Sequence, residues 1–294
     1  MVYLDDSILQ AGKIASAGSK MLRNFAAPFD AEVVTRLNEP CERAVLGEFG
    51  LEPPKSLPDG VLLCNDVFGH VRTVVAERGL CSLRPTYGTV SRYGLIPTAC
   101  SMDQIGVVCR TPAEGFSLLA RIAGHDEKDG AMFPDARYSY EKPAQAPRLH
   151  REALPYADLV EPVFHILAYA EISGNLSRYD GVKFGYRAEN YKTLEELYTK
   201  TRTEAFGFET KLAAVMGCLA LSQDHYAALY DKALRARRLI RDSLRFDLYD
   251  VLVLPVESRL PVLAGLPSLT FRGVQLAAGV KNEGALLAAW EALS

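Results

Sequence analysis

A chain of 294 residues, 49% hydrophobic and 23% charged, is long enough to bury a sizeable core and has an ordinary globular balance. Its 33 basic and 36 acidic side chains give a formal net charge of −3, which excludes the strongly basic surface that direct nucleic-acid binding requires. Six scattered cysteines (Cys41, Cys64, Cys81, Cys100, Cys109 and Cys218) form no CxxC pair and so argue against both a zinc site and a disulfide framework.

The acidic opening Met1-Val2-Tyr3-Leu4-Asp5-Asp6 does not read as a secretory leader, and no apolar run approaches membrane-spanning length. A reducing cytoplasm is the expected home. In chain order, 31–37 (AEVVTRL) predicts a short amphipathic helix with Asp30 as its N-cap. Thr111-Pro112-Ala113-Glu114 opens the next helix: a capping Thr, a Pro tolerated at the first position, and a Glu where a capping box needs it. Its apolar face runs through Phe116, Leu118, Leu119 and Ile122 and stops at Gly124.

The proline-interrupted stretch 132–154 predicts a surface connection within one domain spanning 1–294. Further on, 191–200 and 227–244 predict helices, the second with arginines on its wet side. Short apolar runs at 250–255 (DVLVLP) and 268–271 predict strands. Helices alternating with buried strands give an α/β class.

The stretch 62–103 reads LLCNDVFGHVRTVVAERGLCSLRPTYGTVSRYGLIPTACSMD. Beside it stand GKIASAGSKMLRNFAAPFDAEVVTRL at 12–37, RIAGHDEKD at 121–129, EISGNLSRYDGVKFGYR at 171–187, TRTEAFG at 201–207 and AGLP at 264–267. Together these strings resemble the amidase signature family, and within it the A-subunit branch of the glutamine-dependent tRNA amidotransferases. The resemblance extends to 273–290. It implies the family's α/β/α sandwich with a mixed central sheet, here trimmed by N-terminal and internal deletions.

The resemblance also implies a chemistry that needs a Ser–Ser–Lys triad, no cofactor and an oxyanion hole of backbone N–H groups in a Gly-rich DTGGS turn. At the nucleophile's position this chain has His70, at the lysine's position Asp5, and the segment carrying the bridging Ser is missing. Phe68 replaces one of the turn's glycines, while Asp66, Gly69 and Arg72 remain and, with Arg202, make up the expected remnant pocket. Arg202 matches an arginine that in the family holds the substrate's α-carboxylate. The loop after the 250–255 strand that should carry its acidic companion is mostly gone, so Arg202 is expected to be a structural ion-pair partner. Loss of nucleophile, relay and base together leaves no version of the same mechanism.

His70 beside Cys64 and Asp66 invites a Cys–His–Asp reading, but a triad needs convergence in space, and a hydrogen-bonded structural role is the expectation. No metal site is expected: His125 and Asp126 lie on a family-typical turn, and His150, His165 and His225 lack partners at ligand spacing. The resulting expectation is a catalytically inactive homologue kept for protein–protein contacts. Its partners would be amidotransferase subunits, an active A-type paralogue or a second copy, with no direct nucleic-acid or membrane contact. The alternatives are an amino-acid or amide sensor using the remnant pocket, and an amidase with residual or altered hydrolysis. Deleting core segments should also expose apolar surface that repacking or a partner must cover.

Overall fold

The computed structural model describes residues 1–134, 140–151 and 153–293. Its strands are β1 (Val2–Asp5), β2 (Cys41–Ala44), β3 (Val61–Asn65), β4 (Cys81–Arg84), β5 (Ile105–Cys109), β6 (Leu149–His150), β7 (Val251–Pro255), β8 (Ser268–Phe271) and β9 (Val274–Ala278). They form one sheet in the order β2-β1-β3-β5-β4-β8-β9-β7-β6. β1 runs parallel to β2 and β3, and β6 parallel to β7. The remaining pairings are antiparallel.

The helices are α1 (Glu32–Leu37), α2 (His70–Glu77), α3 (Pro112–Ile122), α4 (Val160–Leu176), α5 (Leu194–Ala205), α6 (Phe208–Leu221), α7 (Lys232–Asp242), α8 (Leu260–Ala264) and α9 (Glu283–Leu293). The central strands explain the layering. β5 (IGVVC) is buried throughout, and side chains alternate across a strand. Leu62, Cys64 and Val108 pack with Val71 and Val75 of α2 on one face. Leu63, Val107 and Cys109 join the main core with Phe116, Leu119 and Ile122 of α3. The α/β/α sandwich with a mixed sheet is therefore the architecture observed.

Two local expectations need correction. Asp30 does not cap α1: Ala31 stands at the cap, and the Asp30 carboxylate, one residue too early, accepts from Ala11 N at 2.7 Å. The helix expected from residue 227 opens with a widened π turn over Ala227–Asp231, in which Asp231 N donates to Tyr226 O at 3.0 Å, and becomes α-helical at Lys232. Thr111 caps α3 as expected, accepting from Glu114 N at 3.3 Å. Of the expected surface connection, 135–139 and 152 lie outside the described residues. Leu149–His150 adds a short edge strand beside β7 instead of remaining loop.

No helix among the described residues is long and apolar enough to cross a membrane.

Candidate functional site

β1 and β3 end side by side at one sheet edge, so Asp5 and the turn after Asn65 are neighbours by topology. Asp66 follows β3 and uses both carboxylate oxygens to cap α2, accepting from Val71 N and from Arg72 N at 3.0 Å each. Two N–H groups at the head of this helix are thereby committed to a side chain of the chain itself. Arg72, buried, donates from Nε to Val256 O and from Nη2 to Ser258 O, both at 2.9 Å, and its Nη1 lies 3.6 Å from Asp66. It bolts α2 to the short connection between β7 and α8. Gly69 makes this fold-back possible: its φ is +81°, and a Cβ there would stand 2.3 Å from the Arg72 Cζ.

Asp66, Gly69 and Arg72 thus converge, but around each other. The cavity that Asp66 and Arg72 help line is about 20 Å³, room for one water.

His70 is the first residue of α2 and is half-buried. Its ring stacks on Phe68 at 6.2 Å, and Phe68 in turn meets Phe164 edge-on at 5.3 Å. Burial lowers its pKa; Asp66 and a hydrogen bond with the Leu51 backbone oppose this, and Arg259 and Arg72 add to it. His70 is therefore a neutral, packed imidazole at pH 7. Cys64 does not join it. The thiol lies on the α2 side of the sheet among Leu62, Val71 and Val75. Burial, with Asp66 and Asp5 nearby, raises its pKa well above that of a free thiol.

Asp5 closes β1. Burial raises its pKa to about 7, and Asp6 adds to the rise; the hydrogen bond donated by Ser7 Oγ and the charge of Arg43 oppose it. A carboxyl in that state has neither the charge nor the reach of a lysine.

The segment that spans the internal deletion contains what sequence reasoning missed. Glu48 is buried and accepts from Ser19 Oγ at 2.6 Å, from Gly207 N at 2.7 Å and from Thr210 Oγ1. A Cβ on Gly207 would come within 2.7 Å of the Glu48 carboxylate, so the α5–α6 junction has to be bare here. Phe49, with φ +48°, stacks on Tyr179 at 5.7 Å and meets Phe206 edge-on at 6.4 Å. Its N–H donates to Ala17 O at 2.8 Å, and its carbonyl accepts from Thr98 Oγ1 at 3.1 Å. Residues 48–51 therefore run from the α5–α6 junction, which Glu48 and Phe49 touch, to His70, which bonds with the Leu51 backbone. A buried Glu-Phe pair bracketed by Gly47 and Gly50 was the available signal.

Arg202 has no ion-pair partner among the described residues. Its Nη1 donates to Leu176 O at 2.8 Å and to Tyr179 O at 3.2 Å, and its guanidinium lies 5.1 Å from the Phe206 ring centre. The carbonyls that end α4 lack helical partners, and a cation there meets both their lone pairs and the helix dipole. The opposite end of α4 faces the His70 side through Glu161, which pairs with Arg259 at 2.6 Å. Roughly 20 Å of helix separates the two ends at 1.5 Å per residue.

The histidines weighed as ligands have local partners: His125 with Phe133 O at 3.1 Å, His165 with Glu161 O at 2.9 Å, His225 with Ser222 Oγ at 3.0 Å, and His150 stacked on Tyr249 at 4.6 Å.

Comparison with known proteins agrees with this geometry. The family model described as Amidase matches residues 63–151 and 148–278. The A subunit of the glutamyl-tRNA(Gln) amidotransferase of Lachnoclostridium phytofermentans is 30% identical over 331 aligned positions, covering 86% of this chain and 66% of that protein. The chain thus spans just under two thirds of that relative's length. Among solved structures, the A subunit of the glutamyl-tRNA(Gln) amidotransferase from Thermotoga maritima superposes with a TM-score of 0.69 at 22% identity, covering 98% of this chain and 81% of that one. A chain from a vestigial protein complex linked to the origins of an s-triazine catabolic enzyme superposes with a TM-score of 0.78 at 17% identity, covering 98% and 82%. Fold, signature strings and family match coincide: the chain belongs to the amidase family.

Proposed function

We propose that this protein is a catalytically inactive member of the amidase family, related to the amidotransferase A subunit, that works in the cytoplasm through contacts with other protein chains. The observation that carries the reading is that the groups around the reacting positions are committed to the fold itself. Asp66 and Arg72 bond inward, and Glu48 and Phe49 bind three separate parts of the fold. With Asp5 and His70 at the reacting positions, no nucleophile–base pair of the family's kind is at hand. The 20 Å³ cavity beside Asp66 and Arg72 likewise gives an amino-acid sensor little to hold.

The protein-contact half of the reading is supported by α6. Its inner face is small (Thr210, Ala213, Gly217 and Ala220) and packs on α4. Its outer face carries Phe208, Leu212, Val215, Met216 and Leu219, with Phe208 73% and Val215 67% exposed. Spacings of four, three and four residues put Phe208, Leu212, Val215 and Leu219 on one stripe, which suits burial against another chain. Candidate partners are the other amidotransferase subunits, an active A-type paralogue and a second copy of this chain.

The test is affinity capture of the tagged chain from its native cells followed by intact-complex mass spectrometry. A stoichiometric partner that is lost when Val215→Glu and Leu219→Glu are introduced is the expected result. A chain recovered as a lone monomer that releases ammonia from an amide would overturn the reading.

A further inference from the structure

We propose that a cavity beneath α7, remote from His70, is a binding site for a small organic anion: a carboxylate or phosphate head carried on an apolar body. The cavity is about 700 Å³ and opens at the sheet edge where β4 and β9 end and β8 begins. Thr86 and Tyr87 follow β4, Gly265 precedes β8, Val280 follows β9, and α7 forms the roof.

The roof is cationic. Arg237, Arg238 and Arg241 all line the cavity, and Asp242 is the one carboxylate among its lining residues. This local excess of positive charge stands in a chain whose formal net charge is −3. A row of arginines on a helix is ordinarily a solvated face, but Arg237 is not solvated. It is half-buried and held from three directions: Nε donates to Leu263 O at 2.7 Å, Nη1 to Ser101 Oγ at 2.8 Å and Nη2 to Ser101 O at 3.0 Å. A guanidinium has five N–H groups, so one on each terminal nitrogen stays free on a fork that is already oriented.

Arg241, one helical turn on, is exposed and has no ion-pair partner among the described residues. Burial lowers the pKa of Arg237; Glu171 opposes this, and the like charge of Arg241 adds to it. An anion between the two guanidinia would relieve that repulsion through charge-assisted hydrogen bonds. Arg238 is tied loosely to Asp242 at 3.5 Å, with both side chains largely in water. The apolar half comes from both sides: Leu234 on the roof and Val280 below it line the cavity while remaining 40% and 47% exposed, and an apolar ligand body would cover them.

The test is isothermal titration of the full chain with phenyl phosphate, inorganic phosphate, 3-phenylpropionate and neutral benzyl alcohol at matched ionic strength. The expected result is saturable one-to-one binding of phenyl phosphate or 3-phenylpropionate, weaker binding of inorganic phosphate and none of benzyl alcohol. Arg241→Gln should weaken the organic anion by about tenfold or more, the usual weight of a charge-assisted bond. Val280→Trp, which fills the cavity from an exposed position, should abolish binding while the melting temperature of the unliganded protein stays within a few degrees of wild type. Failure of both organic anions to bind would overturn the proposal. So would equal affinity in Arg241→Gln and wild type, or binding of a short oligoribonucleotide without binding of phenyl phosphate.

Discussion

Two parts of this molecule contrast sharply: the turn region after β4, where the family's strings survive almost letter for letter, and the reacting positions around α2, where they do not. In the first, the retained polar residues hold the fold to itself. Arg92 grips Asp129 with Nε and Nη2 at 2.9 and 2.6 Å, and Asp129 also accepts from Arg92 N at 2.9 Å. Ser91 Oγ donates to Asp126 at 2.6 Å, and Asp103 accepts from Thr98 N, Ala99 N and Asn65 Nδ2. Burial pushes the Asp129 pKa up, but the bonds from Arg92 hold it below the usual carboxylate range. In the second region, the polar groups also bond inward: Asp66 to the head of α2, and Arg72 to the Val256 and Ser258 carbonyls. Strings such as SRYGLI and AGHDEKD persist because their side chains are structural. A resemblance that rests on them reports fold, and chemistry has to be read at other positions.

The largest effect that could break this comparison is expected at the Arg92–Asp129 pair, whose side chains are 18% and 6% exposed. Asp129→Ala strands a largely buried guanidinium and should cost about 3–5 kcal/mol in urea unfolding. A loss below about 1 kcal/mol would deny the turn region its structural role. Next is the segment around Glu48. Glu48→Ala leaves three donors without their acceptor and should cost about 2–4 kcal/mol. If Glu48→Ala were as stable as wild type, the contacts of this segment would be incidental.

Asp5 sharpens the contrast through pH. Its folded pKa of about 7 lies above the ordinary 3.8, so in that interval the folded state holds a proton that the unfolded state has released. Its stabilising contribution is full below about pH 4 and is lost as pH rises through 7, on the order of a few kcal/mol. Asp5→Asn should flatten this part of the stability–pH curve and stabilise the protein at pH 8, with little change at pH 4. A parallel curve in the variant would contradict the burial of this carboxyl. The smallest effect is at the nucleophile's own position. His70→Ser should give no measurable amide hydrolysis, because the base and the relay are also missing.

Much of the fold was legible because its signals are local or long. The Thr111 cap, the strands near 251 and 268, and the family strings all carry their information in sequence. The site was legible only as a list of losses. Asp66, Gly69 and Arg72 could be named, but not that Asp66 caps α2 or that Arg72 reaches Val256 and Ser258, 184 and 186 residues away. Arg202 pointed to an ion pair because arginines usually find carboxylates, and the Leu176 and Tyr179 carbonyls at and just past the end of α4 won instead. Glu48 and Phe49 were legible only as a short Gly-Glu-Phe-Gly string, because their partners at Ser19, Tyr179, Phe206 and Gly207 come from distant parts of the chain.

The most direct test is ammonia release from L-glutamine and a panel of primary amides by the purified wild-type chain. A signal indistinguishable from buffer, in the chain alone and in Glu48→Ala, is the result the proposed loss of nucleophile, relay and base predicts. Saturable turnover that disappears in His70→Ala would contradict the account and make His70 a catalytic residue.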